Sequence, residues 1–287
     1  MSMLVYVRQA IALWKRNAIA FTLPLVLSAW CSSIARFVVH RGPVRGHALL
    51  DGVIVVVSIF TSYLAHMVLC RMTTDVLEGS EPDGKGAIRV AFRSNTLWTG
   101  VVLSAWMALW CVAALLVGAV FAVAARMVAH QVHVHALTQL FVWVFALMFV
   151  GCVAQYSFAI PYVAFSQGEV REAVALSIRR TKSILRPLIL LAICEMAILL
   201  TVSQIFKAAA AHLVFRAGAQ LAVDMGRDVA QAVPTAWAAI VFVLLAYRDW
   251  VAMKYGGGIA VERREIELID GLPAYQPAAP STYWNGL

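Results

Sequence analysis

The chain has 287 residues, 62% of them apolar or aromatic and only 13% Asp, Glu, Lys or Arg, about half the roughly 25% charge of soluble domains. A mean hydropathy of +0.81 leaves more apolar surface than one water-soluble core can bury, and that surface comes in long blocks, which excludes a soluble globule, a disordered chain and a fibrous repeat. The net charge of +8, from 23 basic and 15 acidic residues, gathers at the ends of the blocks, where anionic lipid headgroups rather than nucleic acid are the natural counter-charge.

A helix needs about 20 apolar residues to cross a hydrocarbon core of about 30 Å. Six blocks meet this: Ile19 to Val39, Leu50 to Cys70, Leu97 to Ala125, Leu137 to Phe165, Leu188 to Phe206 and Val233 to Met253. Short alternating segments of the β-barrel kind are missing. The expected fold class is therefore all-α, an integral membrane bundle of six transmembrane helices. Residues 1–253 are read as one membrane domain and 254–287, rich in Gly, Pro and Ala, as a flexible cytoplasmic tail. The five cysteines, Cys31, Cys70, Cys111, Cys152 and Cys194, have no short spacing and read as small buried apolar residues.

Lys15 and Arg16 ahead of an apolar stretch raise the alternative of a cleaved signal peptide. The apolar run continues to Val39, too long for such a segment, and a lipoprotein signal at Cys31 fails because Trp30 stands where a small residue is required. With the first block retained as a span, alternate loops carry 16 of the 23 Lys and Arg on one side and 7 on the other. Cytoplasmic loops keep the excess, so a bacterial inner-membrane location with both termini cytoplasmic is expected.

A threefold pattern precedes spans one, three and five. Arg8-Gln9-Ala10-Ile11-Ala12-Leu13-Trp14-Lys15-Arg16, Lys85-Gly86-Ala87-Ile88-Arg89-Val90-Ala91-Phe92-Arg93 and Arg171-Glu172-Ala173-Val174-Ala175-Leu176-Ser177-Ile178-Arg179 each place a β-branched residue after Ala and an arginine six positions beyond that Ala. At helical spacing Val7, Ile11, Trp14 and Ala18 form one apolar stripe, and Ile88, Ala91 and Phe92 face away from Arg89 and Arg93, as in helices that lie in the headgroup plane. The expected architecture is three repeats, each an interfacial amphipathic helix feeding a two-span hairpin.

The third unit, Phe158-Ala159-Ile160-Pro161-Tyr162-Val163-Ala164-Phe165 followed by Gly168, Glu169 and a basic amphipathic stretch ending at Arg186-Pro187, resembles the membrane domain of glycerophosphodiester phosphodiesterases and related six-span bacterial membrane proteins of unknown function. The close of span six, Ala246-Tyr247-Arg248-Asp249-Trp250, is similar to the same family's closing pattern, although Arg248, Met253 and Tyr255 depart from it. In the phosphodiesterase relatives the chemistry belongs to a separate barrel of about 250 residues, for which 254–287 leaves no room. The resemblance thus implies a stand-alone membrane domain, an adaptor for lipids or partner proteins.

Candidate sites follow from chemistry. Arg16, Arg89, Arg93, Arg179 and Arg180 are the expected headgroup contacts. Glu195, taken as the only acid deep in a span, is the intramembrane polar candidate, because an ionisable group there is costly and is placed for function or hydrogen-bonded by another span, with Gln155, Tyr156 or Ser157 as partners and His66 as a further one. Asp249 is expected to pair with Arg93 or Arg179. His130, His133 and His135 share no single face and lack a nearby acid or cysteine, so no metal site and no cofactor are expected. Ala114, Gly118 and Ala122 form a small-residue stripe for close helix packing, and Pro161 and Pro234 are expected to kink or cap their helices. Walker A, dinucleotide, nucleophile-elbow and zinc-protease motifs are missing. The expectation is a non-catalytic membrane adaptor or lipid-interacting module, the alternative a transporter or permease component using Glu195.

Overall fold

A computed structural model of the chain describes residues 3–41, 48–128, 158–165, 170–211 and 217–254. Among the described residues all regular structure is helical: α1 (Met3–Arg16), α2 (Ala18–Arg41), α3 (Ala48–Leu77), α4 (Gly84–Ala91), α5 (Ser94–Val128), α6 (158–165), α7 (Val170–Ser183), α8 (Leu185–Ala211) and α9 (Ala217–Lys254).

The breaks between helices have local causes. At Asn17 the backbone N–H donates to the Trp14 carbonyl at 3.0 Å while the Asn17 carbonyl accepts from Phe21 at 3.0 Å, so α1 closes in a tight turn and α2 starts at once. The indole of Trp14 ties the two together by donating to the Thr22 hydroxyl at 2.9 Å. α3 stops at Gly79, whose φ of 85° lies in the left-handed region that favours glycine. There the Gly79 N–H donates to Val76 and the Ser80 N–H to Asp75, at 3.1 and 2.8 Å, which satisfies carbonyls the helix end would leave open. α4 then begins under Asp83, whose carboxylate accepts the Lys85 N–H at 3.0 Å. Gly86 makes room for this cap, since a Cβ there would collide with the Asp83 carboxylate.

Four helices are long and apolar enough to cross a membrane, over Ala18–Val39, Gly52–Leu77, Arg186–Ala210 and Gln220–Val251. They correspond to the first, second, fifth and sixth apolar blocks. The third block lies in the 35-residue α5. Of the fourth, only 158–165 belongs to the described residues; the rest of Leu137 to Phe165, the His130 to His135 segment and the stretch from Tyr255 onward lie outside them. Apolar side chains are turned outward along these helices, among them Ile19, Leu27 and Val38 on α2, Val55 and Val56 on α3, Leu109 and Leu116 on α5, and Leu190 and Ile205 on α8. Outward apolar surface on this scale belongs against lipid, since soluble proteins seldom expose it; the chain is a multi-pass membrane protein.

α9 stands at the centre. It packs against α1, α2, α3 and α8, and 61% of its span is buried compared with 6% for α8. The core around it includes Phe21, Tyr63, Leu69, Ile160, Ile240 and Val243. α8 runs antiparallel to α9, as Leu199 meets Gln231 and Phe206 meets Gly226. α1 and α2 follow α9 in the same opposed sense, from Tyr6 beside Arg248, through Trp14 edge-on to Trp237 at 5.5 Å, to Ser33 beside Asp228.

Several expectations need correction. The face of α1 that is buried is Tyr6, Ala10 and Leu13, one residue round the helix from the expected Val7, Ile11, Trp14 stripe, because α1 lies along α9 and not against lipid alone. α9 begins at Ala217, well before Val233, and runs through the buried Pro234 without ending. Its span thereby takes in Asp224 and the buried Asp228, and Asp75 lies in the span of α3; Glu195 is therefore not the only acid in a spanning helix. Cys70 is buried, but Cys31 and Cys194 are exposed. Gly118 is buried, while the side chains of Ala114 and Ala122 lie outside the described residues.

Candidate headgroup face and the polar links behind it

The basic residues divide into two groups. One group is bound to protein. Arg36 donates to the Ser32 carbonyl at 3.4 Å, Arg71 pairs with Asp75 at 3.3 Å, Arg227 pairs with Asp224 at 3.0 Å and reaches Asp228 at 3.5 Å, and Arg248 donates to the Tyr6 hydroxyl at 2.6 Å. The other group, Arg8, Lys15, Arg16, Lys85, Arg89, Arg93, Arg179, Arg186 and Lys207, is exposed, and its side chains make no hydrogen bond or ion pair among the described residues. The side chain of Arg180 lies outside the described residues.

Lys15 and Arg16 follow Trp14, which lies beside Trp237 about three turns below Arg248, and Lys207 stands near the C-terminal end of α8, whereas the other six, Arg8, Lys85, Arg89, Arg93, Arg179 and Arg186, sit toward one end of the bundle. α9 finishes there, α8 starts there because it is antiparallel to α9, and α7 leads directly into α8. α3 also finishes there, since it pairs with α2 through Ser28 and Thr61 at 3.3 Å and α2 is opposed to α9. α4 packs back on α3. α4, α7 and the N-terminal end of α1 thus stand toward the end where α3 and α9 terminate.

α4 presents three distinct faces. Ala87 and Ala91 are buried; Ile88 and Phe92, about 100° round the axis, are 50% and 59% exposed; Lys85, Arg89 and Arg93 occupy the side opposite the alanines and are exposed. Beyond the turn, Trp98 in the first turns of α5 is 67% exposed. Guanidinium groups so placed bind phosphate oxyanions through paired N–H donors, and exposed apolar side chains beside them suit the boundary between headgroups and acyl chains.

Behind this face the last turns of α9 are held by side chains from distant segments. Tyr162 of α6 donates to Asp249 at 2.7 Å, a partner that charge alone does not suggest. Phe165 packs on Tyr247 and Trp250 at 5.8 and 5.9 Å, and Phe158 meets Phe242 edge-on at 4.7 Å. The two stretches that carry the family resemblance therefore touch in the fold. At the other end of α9, the Ser33 hydroxyl donates to the buried Asp228 carboxylate at 2.5 Å and the Trp30 indole to the Met225 carbonyl at 3.1 Å.

The two intramembrane candidates do not meet. The Nδ1 of His66 lies 2.7 Å from the Ser62 carbonyl of its own helix, whereas the half-buried Glu195 makes no hydrogen bond or ion pair among the described residues. α3, which carries His66, packs mainly on α2, whereas α8, which carries Glu195, packs mainly on α9. Gln155, Tyr156 and Ser157, the other expected partners of Glu195, lie outside the described residues. Among the described residues no group of three His, Cys, Asp or Glu is placed to hold a metal ion. Comparison with family models, curated proteins and solved structures gives no match.

Ser33, Asp228 and Tyr6 escaped the sequence reading. Nothing in a single sequence links Ser33 to an acid 195 positions away. Trp98 was not singled out either, although an aromatic at the start of an apolar block is the signal that could have found it.

Proposed function

We propose that this protein is a non-catalytic membrane module, residing in a bacterial inner membrane with its basic end cytoplasmic, that engages anionic lipid headgroups and serves as an adaptor for lipids or partner proteins. One observation carries the reading: six exposed Lys and Arg side chains, Arg8, Lys85, Arg89, Arg93, Arg179 and Arg186, gather toward one end of a lipid-facing bundle without protein partners among the described residues. A cation that stabilised the fold would be tied like Arg71 or Arg227. On this reading α5 and the fourth block add two further crossings, and each short basic helix introduces one hairpin. Each surface cation contributes about 1 kcal/mol toward an anionic bilayer, an attraction that salt weakens.

Replacing Arg89, Arg93, Arg179 and Arg180 together by Gln is expected to reduce anionic lipid retained by the purified protein in native mass spectrometry. Unchanged retention would defeat the reading. Glu195 favours a second one, a transport component, because a carboxyl in a span-length helix with no hydrogen bond among the described residues is a candidate ion or proton carrier. Solute flux into proteoliposomes that disappears in Glu195→Gln would support it over the adaptor.

A further inference from the structure

We propose that the joint between α4 and α5 is a discrete site for a lipid whose headgroup carries two phosphates, held by Arg89 and Arg93 with its acyl chains against Ile88, Phe92 and Trp98. The inference rests on the headgroup reading above and adds to it a place and a ligand class.

The three basic helices differ in what they leave open. α1 exposes Arg8, Lys15 and Arg16, but Tyr6, Ala10 and Leu13 are buried, so its main apolar face is committed to protein. α7 exposes Arg179, and the apolar side chains beside it, Val174, Leu176 and Ile178, are half-buried. α4 and the start of α5 bring three exposed cations and three large exposed apolar side chains, Ile88, Phe92 and Trp98 at 50%, 59% and 67% exposure, into one short stretch, whereas near the other basic residues single exposed apolar residues occur, Leu4 by Arg8, Ile19 by Arg16 and Leu190 by Arg186. A phosphate alone satisfies the first set and an alkyl chain alone the second. A phospholipid satisfies both.

Spacing narrows the class. Residues four apart on a helix are separated by about 6 Å along its axis, so Lys85 and Arg89 stand one turn apart on α4, and Arg93 follows in the bend between α4 and α5, where its carbonyl accepts from Leu97. Two phosphates joined by a three-carbon bridge have a comparable separation and let one headgroup engage two neighbouring guanidinium groups, each able to bind bidentately. A headgroup with one phosphate fills a single position. The acids nearest in sequence, Glu81 and Asp83, belong to the loop before α4, and Asp83 is engaged in capping the helix at Lys85, which leaves the Arg89 and Arg93 positions further along the chain.

The test uses the full-length protein in nanodiscs of zwitterionic lipid doped with either diphosphatidylglycerol or phosphatidylglycerol, matched for total negative charge, with bound lipid read by native mass spectrometry. The second phosphate contact is expected to favour diphosphatidylglycerol by about fivefold. Arg89→Gln with Arg93→Gln should abolish that preference, while Arg8→Gln with Arg179→Gln should leave it. Equal retention of the two anionic lipids by the unaltered protein, or a preference that survives in the Arg89 and Arg93 variant, overturns the two-phosphate site while leaving general headgroup binding in place. Retention of neither lipid above the zwitterionic background overturns both readings.

Discussion

Tyr6 and Arg248, 242 residues apart, are joined by a 2.6 Å hydrogen bond from the guanidinium Nη1 to the phenolic oxygen. The bond anchors one end of α1 to the last turns of α9, and the Trp14 to Trp237 contact anchors the other. Tyr6 is buried to 6% exposure, so removing its hydroxyl takes away an acceptor that water replaces poorly.

Tyr6→Phe keeps the ring and loses that acceptor. The expected cost is about 1 kcal/mol, confined to the docking of α1, which corresponds to amide exchange about fivefold faster across α1 with α9 unaffected. Exchange unchanged in α1 would show that apolar packing alone holds it.

Ser33 and Asp228 offer a cleaner measure of coupling within the bundle. Ser33→Ala leaves Asp228 with Arg227, whereas Asp228→Leu strips both Ser33 and part of the Arg227 environment. Asp228→Leu is therefore expected to destabilise more than Ser33→Ala in detergent unfolding, and the double variant to fall short of the sum by about 1 kcal/mol. Strict additivity would mean that the short contact contributes nothing net.

Gly100 and Gly52 should respond in opposite directions to the same substitution. The Tyr63 ring, fully buried, lies where a Cβ on Gly100 would have to be, and its hydroxyl donates to the Thr96 carbonyl at 3.0 Å. Gly100→Ala thus forces α3 and α5 apart at an expected cost of about 1–3 kcal/mol. A Cβ at Gly52 meets nothing within 4 Å, and Gly52→Ala is expected to stabilise α3 by up to about 1 kcal/mol through backbone entropy. Unfolding midpoints of the two variants, measured in one detergent, check both signs at once.

The helices themselves were legible because lipid demands unbroken apolar runs, and Arg16 and Arg93, at the edges of those runs, mark where α1 and α4 give way to longer helices. What sequence conceals is whatever depends on a partner far along the chain. The apolar block begins at Val233 but α9 begins at Ala217, since Arg227 pairs with Asp224 and Asp228, and Asp228 also accepts from Ser33, so the helix runs through these polar residues. The rotation of α1 was one residue out for a similar reason, since the spacing of Val7, Ile11 and Trp14 and that of Tyr6, Ala10 and Leu13 are equally helical and only the position of α9 chooses between them. Asp249 accepts from the Tyr162 phenol of α6, a partner 87 positions away that charge alone does not suggest. The charge sorting, in contrast, rested on residue type alone and located the exposed arginines of α4 and α7 at one end.

The central place of α9 has a consequence for biogenesis. Its partners α1, α2 and α3 leave the ribosome long before it does, and the 242 residues separating Tyr6 from Arg248 take on the order of ten to fifty seconds to translate at bacterial and eukaryotic rates. Throughout that interval the N-terminal hairpin must wait in the bilayer with its inner surface covered by lipid, the insertion machinery or a chaperone, so the final helix acts as the late keystone of assembly.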